Sequence, residues 1–227
     1  MDLLNLLFPK QARCYCCREP RLDIMGDNLC LRCRTALDKL GSREILFSAE
    51  GVEHVYAPFP YTGEVRELVH CLKYTCVRDV AFLLGARMAA CLPPDVRYDG
   101  LVPVPLHKKR LRERGFNQAA LLCEEISKAR GIPILPALAR VRDTPHQTKL
   151  HKSRRLENVW EAFHPLSNVS GLRLLLVDDV CTTGSTATAC VLALKKAGAE
   201  CIGLCVAAVT LKDGKDVQGT LSPETLA

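Results

Sequence analysis

A mostly parallel α/β sheet flanked by helices, with a small cysteine-clasped module in front of it, is the fold class predicted by this 227-residue chain. Three observations predict it. Two Cys-x2-Cys pairs stand within the first fifty residues. From Val55 onward, short apolar runs alternate with amphipathic stretches of helical length. One apolar run, residues 174–177, leads into two adjacent carboxylates, Asp178 and Asp179, then a Thr/Gly/Ser loop and the start of a helix.

Residues 1–50 form the first unit. Cys14 and Cys17 have two residues between them in the chain, as do Cys30 and Cys33, with twelve residues between the pairs. Each pair presents two sulfurs from one tight turn. Four thiolates in a tetrahedron make a structural Zn2+ site with no position left open for catalysis. A module this short buries too little apolar surface to fold without such a clasp. Cys16 is a competing thiol: matched spacing favours Cys14 with Cys17, and a clasp that uses Cys16 in place of either stays open.

Residues 51–211 form the α/β unit, and 212–227 a polar tail containing Gly and Pro. Residues 55–61 read as a strand, 63–74 as a helix and 77–91 as a second helix; 101–105 is an extended run. Residues 117–130 are a helix stopped by Gly131, and 172–177 a buried strand. A helix over 185–197, stopped by Gly198, and a strand over 201–209 complete the unit. Arg110, Arg112 and Arg114 sit two apart, a spacing that unites no helical face. They predict an extended loop able to close over an anion.

Composition sets the class. With 48% apolar and 25% charged residues, the chain is globular and neither disordered nor collagen-like. It has no uninterrupted apolar run of about 18 residues, the length of a membrane span. Its first residues lack the basic lead of a signal peptide. Thirteen cysteines, an odd number scattered through apolar stretches, point to a reducing cytosol and not to a disulfide framework. The expected location is therefore cytoplasmic, with any membrane association made through partners. The net charge of +6 is concentrated: residues 106–118 carry +4 and 140–155 carry +5, leaving −3 for the rest. Two basic segments on a mildly acidic body suggest an anion site for phosphate, diphosphate or nucleic acid.

The string from Leu174 to Thr186 specifies chemistry. Loop amides and a helix N-terminus suit a phosphate monoester, and Thr182, Thr183, Ser185 and Thr186 add hydroxyl donors. Gly184 lets the backbone approach the anion closely. Two carboxylates beside a phosphate would repel it unless they face something else. Two ribose hydroxyls, or a Mg2+ ion shared with a diphosphate, are suitable partners.

This string resembles the phosphoribosyl pyrophosphate signature of type I phosphoribosyltransferases. Further segments narrow the likeness: Tyr61-x-Gly63 with Leu68 to Lys73-Tyr74, Val102-Pro103-Val104-Pro105-Leu106-His107, and Arg114-Gly115-Phe116-Asn117-Gln118. Arg140, Thr144, Gln147, Arg155, Asn158, Ala162 and Phe163 continue it. Together with the cysteine pairs, these are similar to the ComF/GntX proteins, the competence protein F relatives, from Cys14 to Val209. The resemblance implies a zinc ribbon fused to a type I phosphoribosyltransferase-like domain that binds phosphoribosyl pyrophosphate with Mg2+. It implies that Asp178 and Asp179 contact the ribose hydroxyls, that Thr182 to Thr186 hold the 5′-phosphate, and that Lys73 and Arg114 serve near the diphosphate. It also implies a link to DNA uptake in natural transformation, with single-stranded DNA and competence machinery proteins as partners.

The acceptor half is not evident. In hypoxanthine-guanine enzymes of the wider group an Asp stands three residues after the acidic pair, where this chain has Thr182. Three functions stay open: a transferase with an unidentified acceptor, a single-stranded DNA factor, and a phosphoribosyl pyrophosphate sensor without turnover. Of the other residues, His107, His146 and His151 read as surface histidines, Phe116 as a staple for the following helix, and Trp160 with Phe163 as packing.

Overall fold

The computed structural model describes residues 13–24, 26–41, 49–74, 77–142 and 162–211. Within the N-terminal unit, short antiparallel bridges join Arg13 to Pro20 and Ile24 to Cys30. Helix α1 (Leu31–Gly41) follows at once, so the second cysteine pair straddles its first turn.

The α/β unit opens with β1 (Val55–Tyr56) and β2 (Phe59–Pro60). The single strand expected over 55–61 is thus broken at Ala57-Pro58, where proline has no amide hydrogen for the ladder. Both pieces pair in parallel with the last strand, β7 (Cys201–Val209), in one continuous register: Val55 opposite Leu204, Phe59 opposite Ala208. Helices α2 (Gly63–Tyr74) and α3 (Val77–Ala90) come next, then β3 (Gly100–Pro103). On α2, Val65, Leu68, Val69 and Leu72 recur at helical spacing and are all buried.

A correction concerns the first basic segment. It is helix α4 (Lys108–Arg114), not an extended loop. Capping outweighs the spacing of the cations. The His107 side chain accepts from the Lys109 amide at 3.4 Å, and Gly115 closes the helix in the left-handed conformation at φ 79°. Lys, Arg, Leu and Glu are also strong helix formers. His107, expected as a plain surface histidine, is therefore an N-cap. Helix α5 (Gln118–Arg130) has the expected ends: Asn117 Oδ1 accepts from the Ala119 amide at 3.0 Å, and Gly131 stops it.

Strands β4 (Leu138–Arg140) and β5 (Phe163–Pro165) form an antiparallel pair that the apolar pattern did not reveal. Most of the second basic segment lies outside the described residues. So do His146, His151, Thr144, Gln147, Arg155, Asn158 and Trp160. Strand β6 (Arg173–Cys181) leads through helix α6 (Ser185–Lys196) into β7, giving the order β1-β7-β6-β3 with every pairing parallel. Every residue of β7 is buried, as expected for the centre of a sheet covered on both faces. Leu175 and Val177 face α2, α3 and α5 together with the N-terminal unit, while Leu174 and Leu176 face α6 and the β4–β5 pair.

Candidate functional site

β6 runs four residues beyond the apolar stretch because β7 keeps pairing with it: Asp178 opposite Val206, Val180 opposite Ala208 and Cys181 opposite Val209. β3 does not follow. Its ladder ends at Pro103 opposite Val177, with one further bond from the Val104 amide to the Val177 carbonyl at 2.9 Å. The chain then leaves through Pro105, which has no amide to donate. β6 therefore extends past β3 at the carboxyl end of the sheet, the end where ligands of α/β folds bind, and both carboxylates lie on that extension.

Local backbone bonds fix the two acids. The Asp179 amide donates to Asp178 Oδ1, and the Val180 amide donates to Asp179 Oδ1, each at 2.8 Å. As neighbours on a strand they point to opposite faces. Asp179 is buried, and Lys73, near the end of α2, places Nζ 2.8 Å from its Oδ2. That contact is a half-buried ion pair. Burial, and after it the neighbouring Asp179 carboxylate, pushes Asp178 well above the usual carboxylate range.

The loop after β6 turns directly into α6. Gly184 is the N-cap at φ 81°, a conformation that strains other residues, and it supplies no side-chain cap. Thr182, Thr183 and Ser185 are exposed and Thr186 is half-buried. Thr183 Oγ1 lies 2.9 Å from Ser185 Oγ and weakly receives the Ser185 amide at 3.5 Å. First-turn amides have no acceptor within their own helix, and here the capping residue offers none. The donor set around them, two carboxylates and four hydroxyls, is all oxygen, which fits a hard divalent cation such as Mg2+.

Arg114 reaches the same region. Its guanidinium carbon lies 5.5 Å from the centre of the Tyr74 ring, and Tyr74 follows Lys73 in the chain. Nη1 donates to Gln118 Oε1 at 2.9 Å. The structure thus brings together Lys73 and Asp179, and brings Arg114 to Tyr74. In the sequence Tyr74 stood out only as part of the segment that resembles the competence protein F relatives.

In the N-terminal unit, the sulfurs of Cys14, Cys17, Cys30 and Cys33 all lie within 4.8 Å of one another. Cys14, Cys30 and Cys33 are buried, and the Cys30 amide donates to Cys14 Sγ at 3.4 Å. Cys16 stands outside this group and directs its thiol to the Glu64 carbonyl at 3.6 Å. A set of four sulfurs that close fits a tetrahedral metal such as Zn2+.

A parallel sheet flanked by helices, with this strand, acidic pair and loop, defines a type I phosphoribosyltransferase-like domain. The chain matches the phosphoribosyl transferase domain family over residues 112–221. It is 38% identical to the DNA utilization protein YhgH of Salmonella typhi, over 56% of this chain and 59% of that protein. It is 38% identical to competence protein F of Haemophilus influenzae, over 45% of this chain and 46% of that protein. With competence protein ComFC of Bacillus subtilis it shares 26% identity over 81% of this chain and 78% of that protein. These matches support a place in the competence protein F family. Its match spans about three fifths of the length of the YhgH relative.

Proposed function

We propose that the carboxyl end of β6 binds phosphoribosyl pyrophosphate with Mg2+, and that the protein is a phosphoribosyltransferase-like factor serving DNA uptake. The observation that carries this is a helix opening on a bare Gly184 cap just past the end of β6, the strand that carries Asp178 and Asp179. The loop and first-turn amides hold the 5′-phosphate, with Thr182, Thr183, Ser185 and Thr186 donating hydroxyls. Asp178 and Asp179 accept from the ribose hydroxyls. Lys73 and Arg114 supply cations for the diphosphate. Mg2+, when bound, offsets the negative charge that builds on a departing diphosphate. Zn2+ in the four-cysteine group is a structural clasp.

The names of the relatives, DNA utilization protein and competence protein, support the link to DNA. So does α4, which leaves Lys108, Lys109 and Arg112 exposed, and this favours single-stranded DNA binding as a second reading. No helix among the described residues is long and apolar enough to cross a membrane. We take the protein to act in the cytoplasm, with competence machinery proteins as its route to a membrane.

Calorimetric titration of the zinc-replete protein with phosphoribosyl pyrophosphate and Mg2+ tests the proposal. Saturable binding that is lost in a folded Asp178→Asn/Asp179→Asn variant is expected. No binding by wild type would refute it. Mg2+-dependent release of diphosphate would separate a transferase from a sensor.

A further inference from the structure

We propose that Cys91 and Cys205 form a reversible oxidation site, a dithiol that a peroxide converts to a disulfide beneath the sheet. Cys91 is the first residue past α3 and is half-buried, whereas Cys205 is fully buried in the middle of β7. Both thiols donate to one acceptor, the Met88 carbonyl: Cys91 Sγ at 3.0 Å and Cys205 Sγ at 3.9 Å.

Two sulfurs far apart in the chain converge here for a structural reason. Met88 lies in the last turn of α3, where helix carbonyls have no backbone donor of their own. α3 packs against β7, which brings that carbonyl to the strand, and the two thiols supply its donors. A thiol is a weak donor, so these bonds hold the pair together without locking it. Cys91 lies beyond the helix, and its side chain can swing to close the gap to the roughly 2 Å of a disulfide. Among the described residues, only the four N-terminal cysteines are close enough to share a metal ion, so the pair is not part of a second metal centre. Cys123 is a third thiol near Cys205, but it is fully buried on α5, and an oxidant reaches the pair by way of Cys91.

The environment assigns the roles. The neighbouring Cys91 thiol, and after it burial, pushes the Cys205 thiol well above its usual range, so Cys205 keeps its proton and the first attack falls to Cys91. The Cys91 thiolate attacks one oxygen of hydrogen peroxide and breaks the O–O bond. Cys91 becomes a sulfenic acid, and the departing hydroxide takes up a proton to give water. The Cys205 sulfur then attacks the Cys91 sulfur and breaks its S–O bond, and the hydroxyl leaves with the Cys205 proton as a second water. Two thiols and one peroxide thus give one disulfide and two waters; the sulfurs are oxidised and the peroxide oxygens reduced. The new bond ties the end of α3 to β7 opposite Val177, the residue before Asp178.

The test uses the full zinc-replete chain as wild type, Cys91→Ser, Cys123→Ser and Cys205→Ser, with thermal midpoints to verify folding. Each is exposed to hydrogen peroxide below the dose that releases zinc, remaining thiols are blocked, and the peptides are mapped by mass spectrometry. Wild type is expected to yield a Cys91–Cys205 cross-linked peptide, lighter by about 2 Da than its two reduced halves, that dithiothreitol abolishes. Cys123→Ser should yield the same cross-link. Cys205→Ser should instead accumulate sulfenic acid at Cys91, trapped by dimedone, and Cys91→Ser should leave Cys205 reduced. If a serine variant fails to fold, the wild-type map alone decides. The proposal is overturned if zinc-retaining wild type forms no Cys91–Cys205 peptide, or if Cys91 cross-links to a different cysteine instead.

Discussion

Removing Lys73 should cost more stability than removing its partner Asp179. Lys73→Met would leave a carboxylate whose side chain is 7% exposed without its counter-ion. At the 2.8 Å separation, with an effective dielectric of about 20, the attraction is about 6 kcal/mol before desolvation is subtracted. Deleting one partner of a buried pair costs about 3–5 kcal/mol. Lys73 is 24% exposed, so water reaches the site and about 3 kcal/mol is expected. Asp179→Asn strands no buried charge, because the lysine has a path to solvent, and should cost about 1–2 kcal/mol. The double variant Lys73→Met/Asp179→Asn should lose little more than Asp179→Asn alone, a coupling of about 2–3 kcal/mol. Urea denaturation of the zinc-replete protein near neutral pH, without phosphosugar, measures all three. Losses in the single variants that add in the double to within about 0.5 kcal/mol would refute the pairing.

Two further outcomes are expected. Asp178 has a folded pKa raised by burial and by Asp179, so the folded state holds its proton more tightly than the unfolded chain. Its stabilising contribution is full below the ordinary carboxylate value of about 3.9 and is lost as pH rises through the raised value. Asp178→Asn should therefore be more stable than wild type at neutral pH, by an amount that shrinks on acidification; denaturation series over pH, without phosphosugar or Mg2+, would show a constant difference if the idea is wrong. Stripping zinc with a strong chelator should loosen α2 as well as the cysteine unit. Cys16 Sγ donates to the Glu64 carbonyl at 3.6 Å, Cys71 Sγ to the Tyr15 carbonyl at 3.1 Å, and the Tyr15 hydroxyl to Asp79 at 2.7 Å. Hydrogen exchange within α2 should rise on chelation and fall back when zinc is restored; exchange confined to the cysteine unit would contradict that coupling.

What could be read before folding was whatever depends on near neighbours in the chain. α2 shows its helix through Val65, Leu68, Val69 and Leu72, and α5 through Asn117 and Gly131, because periodicity and caps are local signals. α4 escaped for a related reason: the alternating cations pointed one way, and two caps at its ends decided otherwise. The β4–β5 pair joins Leu138–Arg140 to Phe163–Pro165, whose partnership no local pattern announces. The loop of Thr182 to Thr186 and the acidic pair were visible as one string, since strand, turn and helix are contiguous there. Lys73 and Arg114 were named through the family resemblance alone, since no local pattern joins them to that string. Lys73 reaches Asp179 only because β7 pairs with β2, the strand just ahead of α2, and with β6 on its other edge. Arg114 reaches Tyr74 across the fold, from the end of α4 to the end of α2, forty residues apart in the chain. The loop between β6 and α6 is thus a local motif, whereas the lysine paired with its acidic neighbour is a product of sheet order.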